Sequence, residues 1–287
     1  MFVKSSSALR YLVLLAGISL LLVSSSLKAQ KENETRRLIR VKNKVKEIRE
    51  YKHNLETGDS SLYNVDFFNA DGRISQGLYF DEEGNITNRQ LFEFDSRGYS
   101  IKQVNYDDKD LETGMFTYEY DKDGNRIDYK QIRKGRVLVH QKRKYKKSRN
   151  TELINKMHNA NYFFVAAKFS YTPKGEFKKV KNYSPNGNLV SVEDYVYNRV
   201  ENKVEQFRTE GKNKRLKLIE YFNNSGLPLK LIYPKKVDRY EGYSLKTLDI
   251  SKEVWFAYDK NGNLISELTF EDSQLVRKRT WSIISEK

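Results

Sequence analysis

Eight glycines of this chain stand in one short recurring phrase, and that phrase limits what the chain can fold into more than any other feature. They are Gly72, Gly84, Gly98, Gly124, Gly175, Gly187, Gly226 and Gly262. Four residues before each comes an aromatic: Phe68, Phe80, Phe94, Tyr120, Tyr171, Tyr183, Phe222 and Tyr258. The residue after each aromatic is Asn, Asp, Ser or Thr. Such a short side chain opens a type I turn by accepting a bond from a downstream amide. Glycine three positions later supplies the left-handed conformation that closes the turn with a bulge. Each phrase therefore predicts a β-hairpin.

In that register the aromatic faces the residue two beyond the glycine. The expected pairs are Phe68 with Ile74, Phe80 with Ile86, Tyr171 with Phe177, Tyr183 with Leu189 and Tyr258 with Leu264. Each contributes roughly 0.2–1 kcal/mol. Ser100, Arg126 and Pro228 hold the partner position in the other three copies, and those hairpins are expected to be distorted or to face water. Between turns the apolar residues alternate, as at Phe92 and Phe94 or Phe256 and Tyr258, which is the period of strands. Shorter signals add hairpins at Arg133 to Arg136, around Gly211 and at Asp272–Ser273, before a closing strand through Trp281. Well over ten strands result. An open sheet rarely exceeds about ten without curling or splitting. The fold is thus read as an all-β antiparallel meander of repeated hairpins forming a strongly curved sheet, a partial barrel or two facing sheets.

Two stretches depart from the pattern. Residues 34–52 place Leu38, Val41, Val45 and Ile48 at helical spacing, with a strand expected from about Val45. Residues 146–161 lack turn glycines and predict a loop or short helical insert that divides the repeats into two groups of four.

The segments YEYDKDGNRI at Tyr118 to Ile127 and FAYDKNGNLI at Phe256 to Ile265 resemble the YD repeat of bacterial RHS proteins, and FDEEGNI at Phe80 to Ile86 is a third close copy. The resemblance spans roughly Tyr63 to Phe270. It implies an extended, spiralling sheet acting as a shell or scaffold, of a kind associated with carbohydrate contact. The glycine spacings here run 12, 14, 26, 51, 12, 39 and 36 residues, less regular than an RHS array. The chain is therefore more similar to small exported bacterial proteins of uncharacterised function that carry a few YD-like hairpins. That likeness brings no activity with it.

Composition sets the compartment. Lys4 and Arg10 precede the apolar run Tyr11 to Val23 and the small residues Ser24 to Ser26, the anatomy of a signal peptide over residues 1–29. Its apolar core falls short of the roughly 20 residues that span a bilayer. Cleavage is expected after Ala29, with cleavage near Ser26 or retention as an anchor as alternatives. Residues 30–287 then form a single repeat domain. With no cysteine there are no disulfides, no thiolate metal site and no lipoprotein anchor, so an exported, periplasmic, surface-associated or secreted protein is expected to hold together by packing. The 53 Lys and Arg outnumber 38 Asp and Glu.

No catalytic, cofactor or metal site is read from the sequence. The three histidines, His53, His140 and His158, lie far apart, and no phosphate loop or nucleophile elbow occurs. Asp121, Asp123 and Asn125 mimic part of a calcium loop, but turn chemistry explains them. The densest basic run is Arg133 to Arg149. Its alternation sends Leu138, His140, Lys142, Lys144 and Lys146 to one face and Gln141, Arg143 and Tyr145 to the other. Arg133, Lys134, Arg136, Lys142, Lys144, Lys146 and Lys147 would contact an anionic polymer through counterion release, or protect a sheet edge. Most repeat aromatics are expected to pack across strands, while an exposed row would stack sugar rings. Charges on both faces of strands such as Lys142 to Lys147 oppose a lipid-facing barrel. Three readings follow: a non-catalytic exported scaffold contacting an envelope protein or glycan, a polyanion-binding module, and an enzyme with dispersed carboxylates.

Overall fold

Period-two alternation between turn formers produces 18 strands in the computed structural model, which describes residues 36–147, 149–156, 162–235 and 250–285. The expected signal peptide and His158 lie outside the described residues. The strands are β1 (Val45–His53), β2 (Ser60–Phe68), β3 (Ile74–Phe80), β4 (Ile86–Phe94), β5 (Ser100–Asp107), β6 (Glu112–Tyr120), β7 (Arg126–Arg133), β8 (Arg136–Lys146) and β9 (Arg149–Lys156). They continue as β10 (Phe163–Tyr171), β11 (Phe177–Tyr183), β12 (Leu189–Asn198), β13 (Lys203–Glu210), β14 (Asn213–Phe222), β15 (Pro228–Pro234), β16 (Ile250–Tyr258), β17 (Leu264–Glu271) and β18 (Gln274–Ser285). Each strand pairs antiparallel with the next. The last pairs with the first, Ile48 opposite Ile283 and Glu50 opposite Trp281. The meander is a closed barrel without a free edge.

All five expected aromatic pairs hold: Phe68 with Ile74, Phe80 with Ile86, Tyr171 with Phe177, Tyr183 with Leu189, and Tyr258 with Leu264. The three hairpins expected to be distorted are not. Phe94 faces Ser100, Tyr120 faces Arg126 and Phe222 faces Pro228 in the same bulged register, and none of these aromatics is exposed. The turn itself sets the register: in the 121–125 turn, Asp121 Oδ1 accepts the Asp123 and Asn125 amides while the Asn125 carbonyl accepts the Asp121 N–H. The partner's side chain is not needed for this. The shorter hairpins also form, Arg133 facing Arg136, Glu210 facing Asn213 and Glu271 facing Gln274.

The insert expected near 146–161 is corrected. Residues Arg149–Lys156 are strand β9, paired on both sides, with Asn150 and Leu153 each 2% exposed. Alternation, not the missing glycine, decides this segment; residues 157–161 lie outside those described. Ahead of β1, residues 36–42 form a helix, α1. It lies over the turns flanking the seam, where Arg37 Nη1 donates to the Asp71 carbonyl at 3.0 Å and Arg40 Nε to that of Gly72 at 2.9 Å.

Closure sorts the turns into two rims. Gly72, Gly98, Gly124, Gly175, Gly226 and Gly262 lie on one, Gly84 and Gly187 on the other. Along the first rim the glycine spacings become 26, 26, 51, 51 and 36 residues, so the repeat is a two-strand unit of about 26. The two long gaps hold glycine-free turns, in which Lys147 and Asn202 take the left-handed conformation at φ 50° and 48°. The same rim carries a row of latches. Tyr120, Tyr145, Tyr171, Tyr197 and Tyr258 donate their hydroxyls to the carbonyls of Ser100, Arg126, Asn150, Phe177 and Pro228, each at the start of the preceding strand.

Candidate functional site: the inner wall of the barrel

Cross-strand partners share a face, so the register assigns every strand residue to the inside or the outside. Along β10–β12 one face holds Ala167, Phe169, Phe177, Val180, Asn182, Ser191 and Glu193, all buried, while the other presents the exposed Lys168 and Lys181. The buried face is the inside. Leu153, Ala167, Phe169, Phe177 and Val180 form an inner cluster there, with Tyr171 and Tyr195 against it. A second cluster, Phe207, Leu216, Ile219 and Ile232, packs on the outward side of β13–β15.

The inside divides into an ionic part and a part dominated by amides and rings. On the ionic side Glu193, 1% exposed, accepts three hydrogen bonds. Lys217 Nζ donates to Oε1 at 3.2 Å, Gln206 Nε2 to Oε2 at 2.6 Å, and the Tyr195 hydroxyl to Oε2 at 3.3 Å. Burial, together with this carboxylate, pushes the Tyr195 hydroxyl far above the usual phenol range. Near the seam Arg279 Nη1 lies 3.2 Å from Glu50 Oε1, and Lys52 Nζ stands 3.2 Å over the Tyr63 ring. Burial raises the carboxyls of Glu50 and Asp66 above the ordinary range, against the pull of Arg279 on the first and of Asn64 and Arg40 on the second.

On β3–β7 the inner face changes character. The amides Asn88, Gln90, Gln103, Asn105 and Gln131 point inward, interleaved with Phe92, Phe116, Tyr118 and Tyr129. The charged side chains that face inward on these five strands stand at strand ends, and one of them, Arg126, reaches in to place its guanidinium 5.5 Å over the Tyr118 ring and 5.7 Å over the Tyr129 ring. All nine residues are half-buried, so water reaches them. A ring of 18 strands encloses more space than its own side chains fill.

The outer face, by contrast, is laced with cross-strand ion pairs. Lys102 meets Glu93 at 2.9 Å, Lys144 meets Glu152 at 2.9 Å, Lys179 meets Asp194 at 3.2 Å and Lys230 meets Glu253 at 2.9 Å. His140 Nε2 lies 2.7 Å from Asp128 Oδ2, and His53 Nε2 lies 2.9 Å from Thr280 Oγ1. A shallow cavity of about 170 Å³ outside β16–β17 is lined by Trp255, Phe270 and Asp272 among others, and Lys230 sits 4.5 Å over its indole.

The basic run takes the alternation expected for it: Lys142, Lys144 and Lys146 point out, while Gln141, Arg143 and Tyr145 point in. It does not gather its seven residues. Arg133, Lys134 and Arg136 stand at one rim, Lys146 and Lys147 at the other, with Lys142 and Lys144 along β8 between them. They do not cover a sheet edge, because β8 is paired on both sides. The inner amide–aromatic face escaped the sequence reading, which had no means of telling inside from outside; the period-two alternation of Asn88, Gln90 and Phe92 was its only signal.

No protein-family model matches this chain, and no curated protein matches it. Among solved structures it is similar to a porin-like protein from Bacteroides uniformis, with 9% identity, a TM-score of 0.44 and coverage of 84% of this chain and 98% of that one. It is also similar to a chain of the TcdB2–TccC3–Cdc42 complex, at 12% identity and TM-score 0.33, covering 78% of this chain and 14% of that one. A protein of unknown function from Bacteroides fragilis gives 9% identity and TM-score 0.24, covering 51% of this chain and 92% of the other. None of these likenesses bears on function. The closed ring rests on the pairing of β1 with β18.

Proposed function

We propose that this chain is an exported, non-catalytic scaffold of the cell envelope that contacts a glycan or an envelope protein through its curved sheet. The observation that carries the reading is the solvent-reached polar inner face of a closed ring whose most buried carboxylate, Glu193, is held by an ammonium, an amide and a phenol. A buried carboxylate with three of its lone pairs taken by its own neighbours is spent on holding the wall together and is poorly placed to serve as a general base. The ion pairs on the outer face support a barrel standing in water, since charges in mid-wall are costly against lipid. The test is a glycan array probed with the mature protein, with the bound glycans then examined for cleavage. Retention without product is expected. Cleavage products, or no retention on glycans and no envelope protein recovered by cross-linking, would overturn the reading.

One observation favours a second reading, an enzyme with dispersed carboxylates. Glu50 and Asp66 face inward on adjacent strands, and burial raises both. If Glu50→Gln and Asp66→Asn abolish a turnover that the unaltered protein shows, the enzyme reading replaces the first. Polyanion binding through the β8 lysines would appear as affinity for heparin that falls steeply with salt.

A further inference from the structure

The row of amides and rings on the inner face of β3–β7 points to one ligand class. We propose that it binds an uncharged polysaccharide chain lying across the strands; this rests on the reading above that the curved sheet contacts a glycan.

Three observations carry it. First, the register sets Phe92 opposite Gln103, Gln103 opposite Phe116 and Phe116 opposite Gln131, so a row of ring, amide, ring, amide runs across four strands. Strands lie about 4.8 Å apart, which puts successive rings roughly 10 Å from one another, close to the length of a disaccharide. A stacked ring can then meet alternate sugars, while the amide between them offers both a donor and an acceptor to hydroxyls. Second, the neighbouring row reads Gly77, Gln90, Asn105, Gly114, in which the wall is recessed at Gly114, where only the Ile132 carbonyl stands near, while the Asp66 carboxylate and the Gln90 amide close over Gly77 at the other end. Gln103 Nε2 donates to Asn105 Oδ1 at 3.0 Å, tying the two rows together and fixing the orientation of both amides. Third, the row of Phe92, Gln103, Phe116 and Gln131 holds no charge in a chain in which 32% of residues are charged, and the nearby inward Arg126 is held over Tyr118 and Tyr129 at the rim. A charged polymer lying on this row would meet counter-charge only from Arg126 at the rim and would lose hydration with little recompense, whereas hydroxyls need only the amides.

Affinity electrophoresis of the mature protein in gels containing dextran, laminarin, galactomannan or xylan tests the proposal, with alginate and polygalacturonate as anionic probes. At least one neutral polymer is expected to retard the protein, and Phe116→Ala and Gln131→Ala are each expected to weaken that retardation about tenfold. Thr117→Ala, on the outward face beside Phe116, is expected to leave it unchanged. Phe116→Leu and Gln131→Met preserve volume should the alanine variants fail to fold, and their melting temperatures report folding separately. Retardation that survives all the inward substitutions would overturn this assignment while leaving the glycan reading intact. Retardation by the anionic polymers alone, or by none, would overturn it as well, and the last outcome would also remove the glycan part of the broader reading.

Discussion

Tyr171→Phe removes one oxygen from the latched rim and leaves everything else in place, so it isolates what a latch contributes. The Tyr171 hydroxyl donates to the Asn150 carbonyl at 2.6 Å, and Asn150 is 2% exposed. The ring itself stacks on Phe177 with centroids 5.1 Å apart and planes at 26°, a contact that phenylalanine retains. The loss is therefore one hydrogen bond to a buried acceptor that water cannot readily replace. A typical bond gives about 0.5–1.5 kcal/mol net, and stranding a buried partner costs about 1–3 kcal/mol. The Asn150 residue also lies within the β8–β9 ladder, which moderates the penalty, so about 1–2 kcal/mol is expected. For a domain of this size that is a fall in melting temperature of roughly 2–8 °C.

The control is Tyr183→Phe. Tyr183 is the repeat aromatic of a hairpin on the opposite rim, paired with Leu189, and its hydroxyl finds no hydrogen-bond partner among the described residues. Its removal should change stability by less than about 0.5 kcal/mol. Urea unfolding followed by tyrosine fluorescence, with thermal melts alongside, measures both. Equal effects from the two substitutions, or a Tyr171→Phe protein as stable as the parent, would refute the claim that latches at one rim stabilise the ring.

Truncation after Glu271 removes β18 and exposes the edges of β1 and β17; light scattering is expected to show dimers or larger aggregates in place of a monomer. Gly124→Ala should destabilise more than Gly84→Ala: both positions have φ above 80°, but an added Cβ at Gly124 would strike the Tyr99 ring, which stacks on Tyr120, whereas Gly84 opens to space. Urea midpoints of the two variants check this. Glu193→Ala should cost about 3–5 kcal/mol in urea unfolding, because Lys217 and Gln206 lose their shared partner. The turns should also weaken in acid. The Asn85 amide holds the Asp81 carboxyl below the ordinary range and the Asn125 side chain does the same for Asp121, so their stabilisation is complete above the unfolded value and is lost as pH falls below about 4. Melts from pH 7 to 2.5 should show the decline, and Asp81→Asn with Asp121→Asn should reduce its slope.

Local structure was legible in the chain because the turn phrase carries its own register. Asp121 and Gly124 form their turn whatever stands at Arg126, which is why the three copies without an apolar partner form as regularly as the rest. The 26-residue unit was hidden because Gly84 and Gly187 belong to the opposite rim, and because two turns of the first rim dispense with glycine. Tyr145 and Tyr197 mark those turns, and with Phe68, Phe94, Tyr120, Tyr171 and Phe222 they space the aromatics 25 or 26 residues apart. Ring closure was not legible at all. Nothing local in Ile48 or Ile283 announces that they will meet, since the pairing joins opposite ends of the chain. The inner face depended on closure, for inside and outside exist only once the ring is shut.

Stability in such a ring is concentrated in a few places. Close backbone contacts between strands join sequence neighbours or the β1–β18 seam. Packing is concentrated where Leu153, Phe169 and Val180 cluster inside and where Ile219 and Ile232 cluster outside, while Glu193 ties β12 to β13 and β14. The inner face of β3–β7 takes part in none of these. Folding therefore asks little of Phe92, Gln103, Phe116 and Gln131 beyond a strand-compatible side chain, and serine, threonine or lysine would serve in a water-reached lumen. That amides and rings alternate along this row instead, with the inward Arg126 held over Tyr118 and Tyr129 at the rim, is what the proposed ligand-facing wall would use and a purely structural one does not need.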